Sequence, residues 1–207
     1  NEAAIIAARH ECDSVELKHF EQAVDRVLGG LEKKNSSMTQ YEKKLVAYHE
    51  AGHAVAGWFL EHADPLLKVT IVPRSNGALG FAQYLPKELS LYQTEQLKDM
   101  MCMTLAGRAA EEIFFGKIST GASNDLEKVT NIAYSIVAVY GMSPDLPNVA
   151  FHRQTSNDQQ QFTKPFSEQT AQKIDQDIQS QITTAYTRTM KLLTRKKKLV
   201  KGLAEKL

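Results

Sequence analysis

The sequence is short of several features that would classify it at once. It has two cysteines, Cys12 and Cys102, in 207 residues. They stand far apart and outside any C-x-x-C pattern, which excludes a disulfide framework and fits a reducing compartment. The formal net charge is only +1, so no field of one sign points to nucleic acid or to an acidic substrate. Apolar runs such as "AVAGWFL" are far too short to cross a bilayer. There is no internal repeat and no signal peptide. A start at Asn1 without an initiator methionine leads us to expect a piece of a longer chain, with any targeting or membrane segment elsewhere. What remains is ordinary for a globular protein, with 43% apolar and 24% charged residues. The length suits one medium domain, or one domain and a fragment.

Read along the chain, the pattern is mostly helical. Residues 1–11, rich in alanine and isoleucine, read as the end of a helix. Ser14 is a candidate cap for a second, with Leu17, Phe20, Val24 and Leu28 at helical spacing and Gly29–Gly30 as its stop. The polar stretch 31–40 reads as a linker. A third helix is predicted from Tyr41 to His62, before Pro65. The β-branched run 66–73 and the alternating run 81–86, joined by "RSNGALG", predict a strand pair. Thr94 caps a long helix to Phe115, and "STGASND" leads into another that ends near Tyr140–Gly141. Residues 143–166 form a polar loop. A long amphipathic helix from Ser167 to about Leu193 and a lysine-rich helical tail complete a mainly α fold with a small β-sheet.

The chemistry concentrates in "YHEAGHAVAGWFLEH" at 48–62. His49 and His53, four residues apart, sit about 40° apart around a helix and about 6 Å along it. Two imidazoles so placed can converge on one zinc ion. Glu50 projects beside them, where it can take a proton from the attacking water; this is the H-E-x-x-H arrangement. Gly52 and Gly57 inside the same helix each cost about 1 kcal/mol relative to alanine. They imply close approach by another backbone, by a substrate or by a tightly packed helix.

A catalytic zinc takes three protein ligands and leaves one position open. His62 fails as the third, because nine residues beyond His53 it points about 180° away around the helix. A metzincin spacing would need histidine at 59, which is Phe59. Two acids remain. Glu112 continues the apolar stripe of Leu97, Met101 and Leu105, and we favour an ion pair with Arg108 for it. Asp125 follows a small-residue loop at a helix start, where a carboxylate also suits the helix dipole. The residues alone leave the two nearly tied.

Several separated motifs, in order, resemble one family. "YHEAGHAVAGWFLEHADPLLKVTIVPR", "ALGFAQYLP", "LAGRAAEEIFFG" and "STGASNDLEKVT" are similar to the peptidase domain of FtsH-type ATP-dependent zinc metalloproteases. "EHADPLLKV" and "GLEKK" look most like the mitochondrial, matrix-facing m-AAA (paraplegin-type) branch. Residues 1–34 resemble the end of an AAA ATPase lid, which would leave 35–207 as the peptidase domain. The resemblance implies one zinc per chain held by His49, His53 and Asp125, with Glu50 as general base. It also implies a mainly helical fold with a few short strands, and a homo- or hetero-hexameric ring of like subunits. The implied setting is the mitochondrial inner membrane facing the matrix, or alternatively the cytoplasmic face of a bacterial inner membrane, anchored through segments outside this chain.

The departures are as informative. No Walker A loop is present, since Gly116–Lys117 lacks both the upstream glycine and the following hydroxyl. ATP is therefore expected to act only in a full-length protein. The predicted reaction is hydrolysis of polypeptide substrates, with Glu50 passing the water proton to the leaving amine. Substrate is expected as an extended strand beside the small sheet, along 78–84 or 68–72. The alternative is an assembly subunit of a hetero-hexameric ring with little activity of its own.

Overall fold

The computed structural model describes residues 1–32, 38–75, 79–85, 89–151 and 166–207, with only the backbone at Leu28. Helices dominate: α1 (Glu2–Arg9), α2 (Leu17–Gly29), α3 (Gln40–Phe59), α4 (Thr94–Phe115), α5 (Ser123–Tyr134), α6 (Glu168–Arg195) and α7 (Lys197–Ala204). Strands β1 (Leu66–Thr70) and β2 (Phe81–Tyr84) form one antiparallel pair, with Leu66 opposite Tyr84 and Thr70 opposite Phe81. The predicted class, mainly α with a small sheet, is the observed one. The linker core at 33–37, the turn at 76–78, Pro86 and the polar loop 152–165 lie outside the described residues.

α4 is the central helix, packed by α3, α5 and α6. The core between them is built from small residues: Ala51 and Ala56 on α3 and Ala106, Ala109 and Ala110 on α4 are fully buried. Gly52 is the point of closest approach. A Cβ there would lie 2.5 Å from the Ala106 carbonyl oxygen and 2.7 Å from the Ala110 Cβ. Helix packing therefore explains this glycine. On the other side of α4, the buried Thr189 hydroxyl of α6 donates to the Cys102 carbonyl at 3.1 Å.

Helix boundaries follow from identifiable side chains. Thr39 caps α3 in a reciprocal box with Glu42: the Glu42 N–H donates to the Thr39 hydroxyl at 3.2 Å and the Thr39 N–H to the Glu42 carboxylate at 2.7 Å. α3 stops at Phe59, earlier than the predicted His62, because Leu60 turns to an extended conformation. Asp99 of α4 then captures the His62 N–H at 3.1 Å. Asp99 is itself buried and ion-paired with Arg188 at 2.6 Å. This tertiary anchor has no local signature. α2 is capped by Glu16 rather than Ser14, with the Glu16 N–H donating to His19 Nδ1 at 3.0 Å. α4 is capped by Gln93, one residue before Thr94. Beyond α5 a wider π-turn over Ser135–Val139 carries the chain to Gly141, whose positive φ of 59° ends the helix where expected. Ser167 caps α6 as predicted from its start, accepting from the Thr170 N–H at 3.2 Å.

α1 and α2 form a small cluster of their own around Ala3, Ile6 and Ala23. Of the predicted apolar stripe of α2, Leu17, Phe20 and Val24 face outward here, with Leu17 74% exposed. A seam ties this pair to the sheet segment. The Leu31 N–H donates to the Ser75 hydroxyl and the Ser75 N–H to the Leu31 carbonyl, at 3.1 and 2.8 Å. The buried Arg74 guanidinium reaches the Gly30 carbonyl and Glu32, and Lys68 pairs with Asp25.

Gly52→Ala tests the α3–α4 approach. It should destabilise the fold by about 1–3 kcal/mol through overpacking, read as a lower melting temperature; an unchanged melting temperature would contradict the close contact.

Candidate metal centre

α3 turns the rings of His49 and His53 toward α4, and α4 fixes both. His49 Nδ1–H donates to Glu111 Oε1 at 2.7 Å, and His53 Nδ1–H donates to the Met103 carbonyl at 2.8 Å. A carbonyl only accepts, so His53 must carry its proton on Nδ1. Glu111 is held ionised: burial pushes its carboxyl up, but hydrogen bonds from His49 and from the Ser119 N–H and hydroxyl outweigh that and lower it. The His49 proton therefore also sits on Nδ1. Both Nε2 atoms face one space, and each offers a lone pair there when its ring is neutral.

Asp125 enters that space from the first turn of α5. Its Oδ2 lies 3.3 Å from His49 Nε2 and 3.2 Å from His53 Nε2, while the two Nε2 atoms are 3.1 Å apart. The three edges are close to the roughly 3.3 Å expected between ligands of a tetrahedral ion with bonds of about 2.0–2.1 Å. Three electron-pair donors facing one point repel unless a cation lies among them. Electrostatics agrees. Burial favours a neutral His49 ring, yet Asp125, Glu111 and Glu50 together raise its pKa to about 9, so the surrounding carboxylates favour positive charge at this point, whether a proton or a metal. Burial likewise opposes ionisation of Asp125, and the two histidines hold it far below the usual carboxylate range. The residues present fit a bound divalent metal, with His49, His53 and Asp125 as the only such three-residue group among the described residues.

Gly107 makes the convergence possible. A Cβ at this α4 position would lie 2.4 Å from His49 Nε2 and 2.5 Å from His53 Nε2. Glu50 lies beside the group, its carboxyl pushed up mainly by burial. Gly80, just before β2, lies so close that a Cβ would fall 2.5 Å from Glu50 Oε1.

The structure thus brings together His49, Glu50, His53 and Asp125, and it sets Glu112 apart. Glu112 is exposed and accepts a hydrogen bond from the Tyr186 hydroxyl. The inward acid is its neighbour Glu111, 1% exposed. Position 112 falls within the stripe Leu97–Met101–Leu105 on an ideal helix, but α4 is buried on several faces against α3, α5 and α6, so that one stripe does not decide which of the two acids turns toward the rings. His62 lies on the turn after α3 and is not part of the ligand group; the helical angle expected for it does not apply, because α3 ends at Phe59. Sequence reasoning missed Glu111 and Gly107. The available signals were a second acid in the same pair and a glycine in the middle of a strong helix.

The profile described as peptidase family M41 matches residues 36–207. The chain is 57% identical, over 99% of its own length, to the mitochondrial inner membrane m-AAA protease component AFG3L2 of Mus musculus, of which it covers 25%. It is 56% identical over its whole length to the ATP-dependent zinc metalloprotease FTSH 8, mitochondrial, of Oryza sativa subsp. japonica, again covering 25%. With the ATP-dependent zinc metalloprotease FtsH of Rhodothermus marinus it shares 50% identity over its whole length and 30% of the relative's. The chain spans about a quarter of the length of the curated relatives it matches.

Two substitutions test the centre. Gly107→Ala should abolish stoichiometric binding of added Zn²⁺. Glu111→Gln should weaken Zn²⁺ affinity about 10–100-fold. Titration against a chromophoric chelator reads both, and wild-type affinity in either variant would contradict the geometry.

Proposed function

We propose, for a chain that belongs to peptidase family M41, that His49, His53 and Asp125 hold one zinc ion and that the centre hydrolyses peptide bonds with Glu50 as general base. The observation that carries the reading is the convergence of three lone-pair donors whose ring tautomers are fixed from behind by Glu111 and Met103. When bound, zinc supplies a Lewis acid that polarises the scissile carbonyl and brings the pKa of a coordinated water to about 7.

The chain's own residues do the rest. Glu50 accepts the proton of the attacking water and returns it to the leaving amine. Its carboxyl is raised by burial, which suits a base that must both take and give a proton near neutrality. An extended substrate fits along the edge of β2 that is unpaired among the described residues, because Gly80 at the head of that strand lies against Glu50. That favours the 78–84 side, of which residue 78 lies outside the described residues, over 68–72.

The larger setting is drawn from the relatives. Residues 1–34 are read as the end of an ATPase lid, and ATP-driven unfolding belongs to the part of the relatives that this chain does not cover. The likeness to m-AAA components supports a homo- or hetero-hexamer at the mitochondrial inner membrane, facing the matrix, that degrades misfolded or unassembled proteins and processes precursors. The bacterial relatives make the cytoplasmic face of a bacterial inner membrane the alternative. The complete donor set speaks against a subunit that serves assembly alone.

Glu50→Gln should retain one zinc per chain while casein cleavage falls by at least about 100-fold. Asp125→Ala should lose zinc and activity together. Full cleavage by Glu50→Gln, or by wild-type protein stripped of metal with a chelator, would overturn the assignment.

A further inference from the structure

The side chains that meet at the centre offer acceptors: two Nε2 lone pairs and the carboxylates of Asp125 and Glu50. Attack on a peptide carbonyl moves an electron pair onto its oxygen, and a fixed hydrogen-bond donor beside that oxygen lowers the barrier. Lys128, near Asp125 Oδ1 at 3.6 Å, is an exposed and flexible candidate. A better one ends strand β2.

The ring of Tyr84 lies over Gly57, one helical turn beyond His53, with Cε1 3.4 Å from the point where a Cβ would stand. Met103, whose carbonyl holds His53, lines the same gap with its sulfur 3.2 Å from that point. A Cβ at 57 would press on the Met103 sulfur and come into van der Waals contact with the tyrosine ring, so this glycine borders Tyr84 rather than α4 backbone as Gly52 does. The Tyr84 hydroxyl is shielded from solvent and has no hydrogen-bond partner among the described residues. Buried tyrosine hydroxyls ordinarily find one, and an unpaired polar group is costly to maintain. Burial first, and then the neighbouring carboxylates of Glu50 and Asp125, raise its pKa, so it stays a neutral donor at any working pH.

We propose that the Tyr84 hydroxyl is a catalytic hydrogen-bond donor that binds the reacting carbonyl oxygen of a seated peptide as that oxygen gains negative charge. The proton stays on Tyr84 throughout, and Glu50 carries the proton traffic. This inference rests on the metallopeptidase reading above and adds a residue to it. A tyrosine that merely packed against α3 would be replaceable by phenylalanine without consequence.

The test is Tyr84→Phe in the full-length, assembled protein, assayed with a fluorogenic peptide beside wild type and Glu50→Gln. Zinc content and melting temperature should match wild type, because the hydroxyl makes no bond to lose. The value of kcat should fall about 100-fold with KM within about 3-fold, and affinity for a phosphinic peptide that mimics the transition state should fall in proportion to kcat/KM. A kcat within twofold of wild type would overturn the assignment. So would loss of zinc or of several degrees in melting temperature, since either makes the hydroxyl structural. If wild type needs its metal while Tyr84→Phe matches it, the Tyr84 role alone falls. If wild type ignores chelation, the metallopeptidase reading falls and takes this role with it.

Discussion

The carboxylate of Glu111 connects the parts that the centre requires. One oxygen accepts from His49 Nδ1 at 2.7 Å, and the other accepts from the Ser119 N–H at 2.6 Å. The first contact sets the His49 tautomer and ring plane. The second holds the start of the turn Thr120–Ala122, from which α5 projects Asp125. Ligands from two distant segments thus share one reference point. A buried charge is unfavourable unless paired and hydrogen-bonded. Glu111 meets that condition with an imidazole N–H, a backbone N–H and the Ser119 hydroxyl at 3.1 Å.

This arrangement depends on how closely α3 and α4 approach. Alanines and Gly52 let the helices meet backbone to side chain, which brings the Met103 carbonyl within reach of His53. Gly107 leaves room for both rings against the α4 backbone. The glycines cost helix propensity of about 1 kcal/mol each, and the structure places each at a contact that a Cβ would obstruct. Stability and site geometry are therefore set by the same small residues, and neither can be altered alone at these positions.

Legibility in the sequence followed the range of the interaction. His49, Glu50 and His53 were plain from i, i+4 spacing, because one helical turn defines their relation. The mainly α class and the two strands were also local. Asp125 was tied with Glu112 on the residues, and only the resemblance separated them, since it arrives from 76 residues away. Glu111 escapes sequence reading because adjacent acids differ by about 100° around a helix and α4 is buried on several faces, so one apolar stripe cannot orient them. The early end of α3 depends on Asp99, a tertiary partner that no local pattern announces. The α2 cap was misread for a related reason: Ser14 carried the usual cap chemistry, while the actual box joins Glu16 to a buried histidine.

The central claim is a zinc ion held by two imidazoles and one carboxylate. X-ray absorption at the zinc edge of the purified protein tests it most directly. The account predicts one zinc per chain with a first shell of two histidine nitrogens and oxygen ligands, and no sulfur. A thiolate, a third imidazole, or an edge that is unchanged between wild type and a variant lacking the Asp125 carboxylate would contradict it.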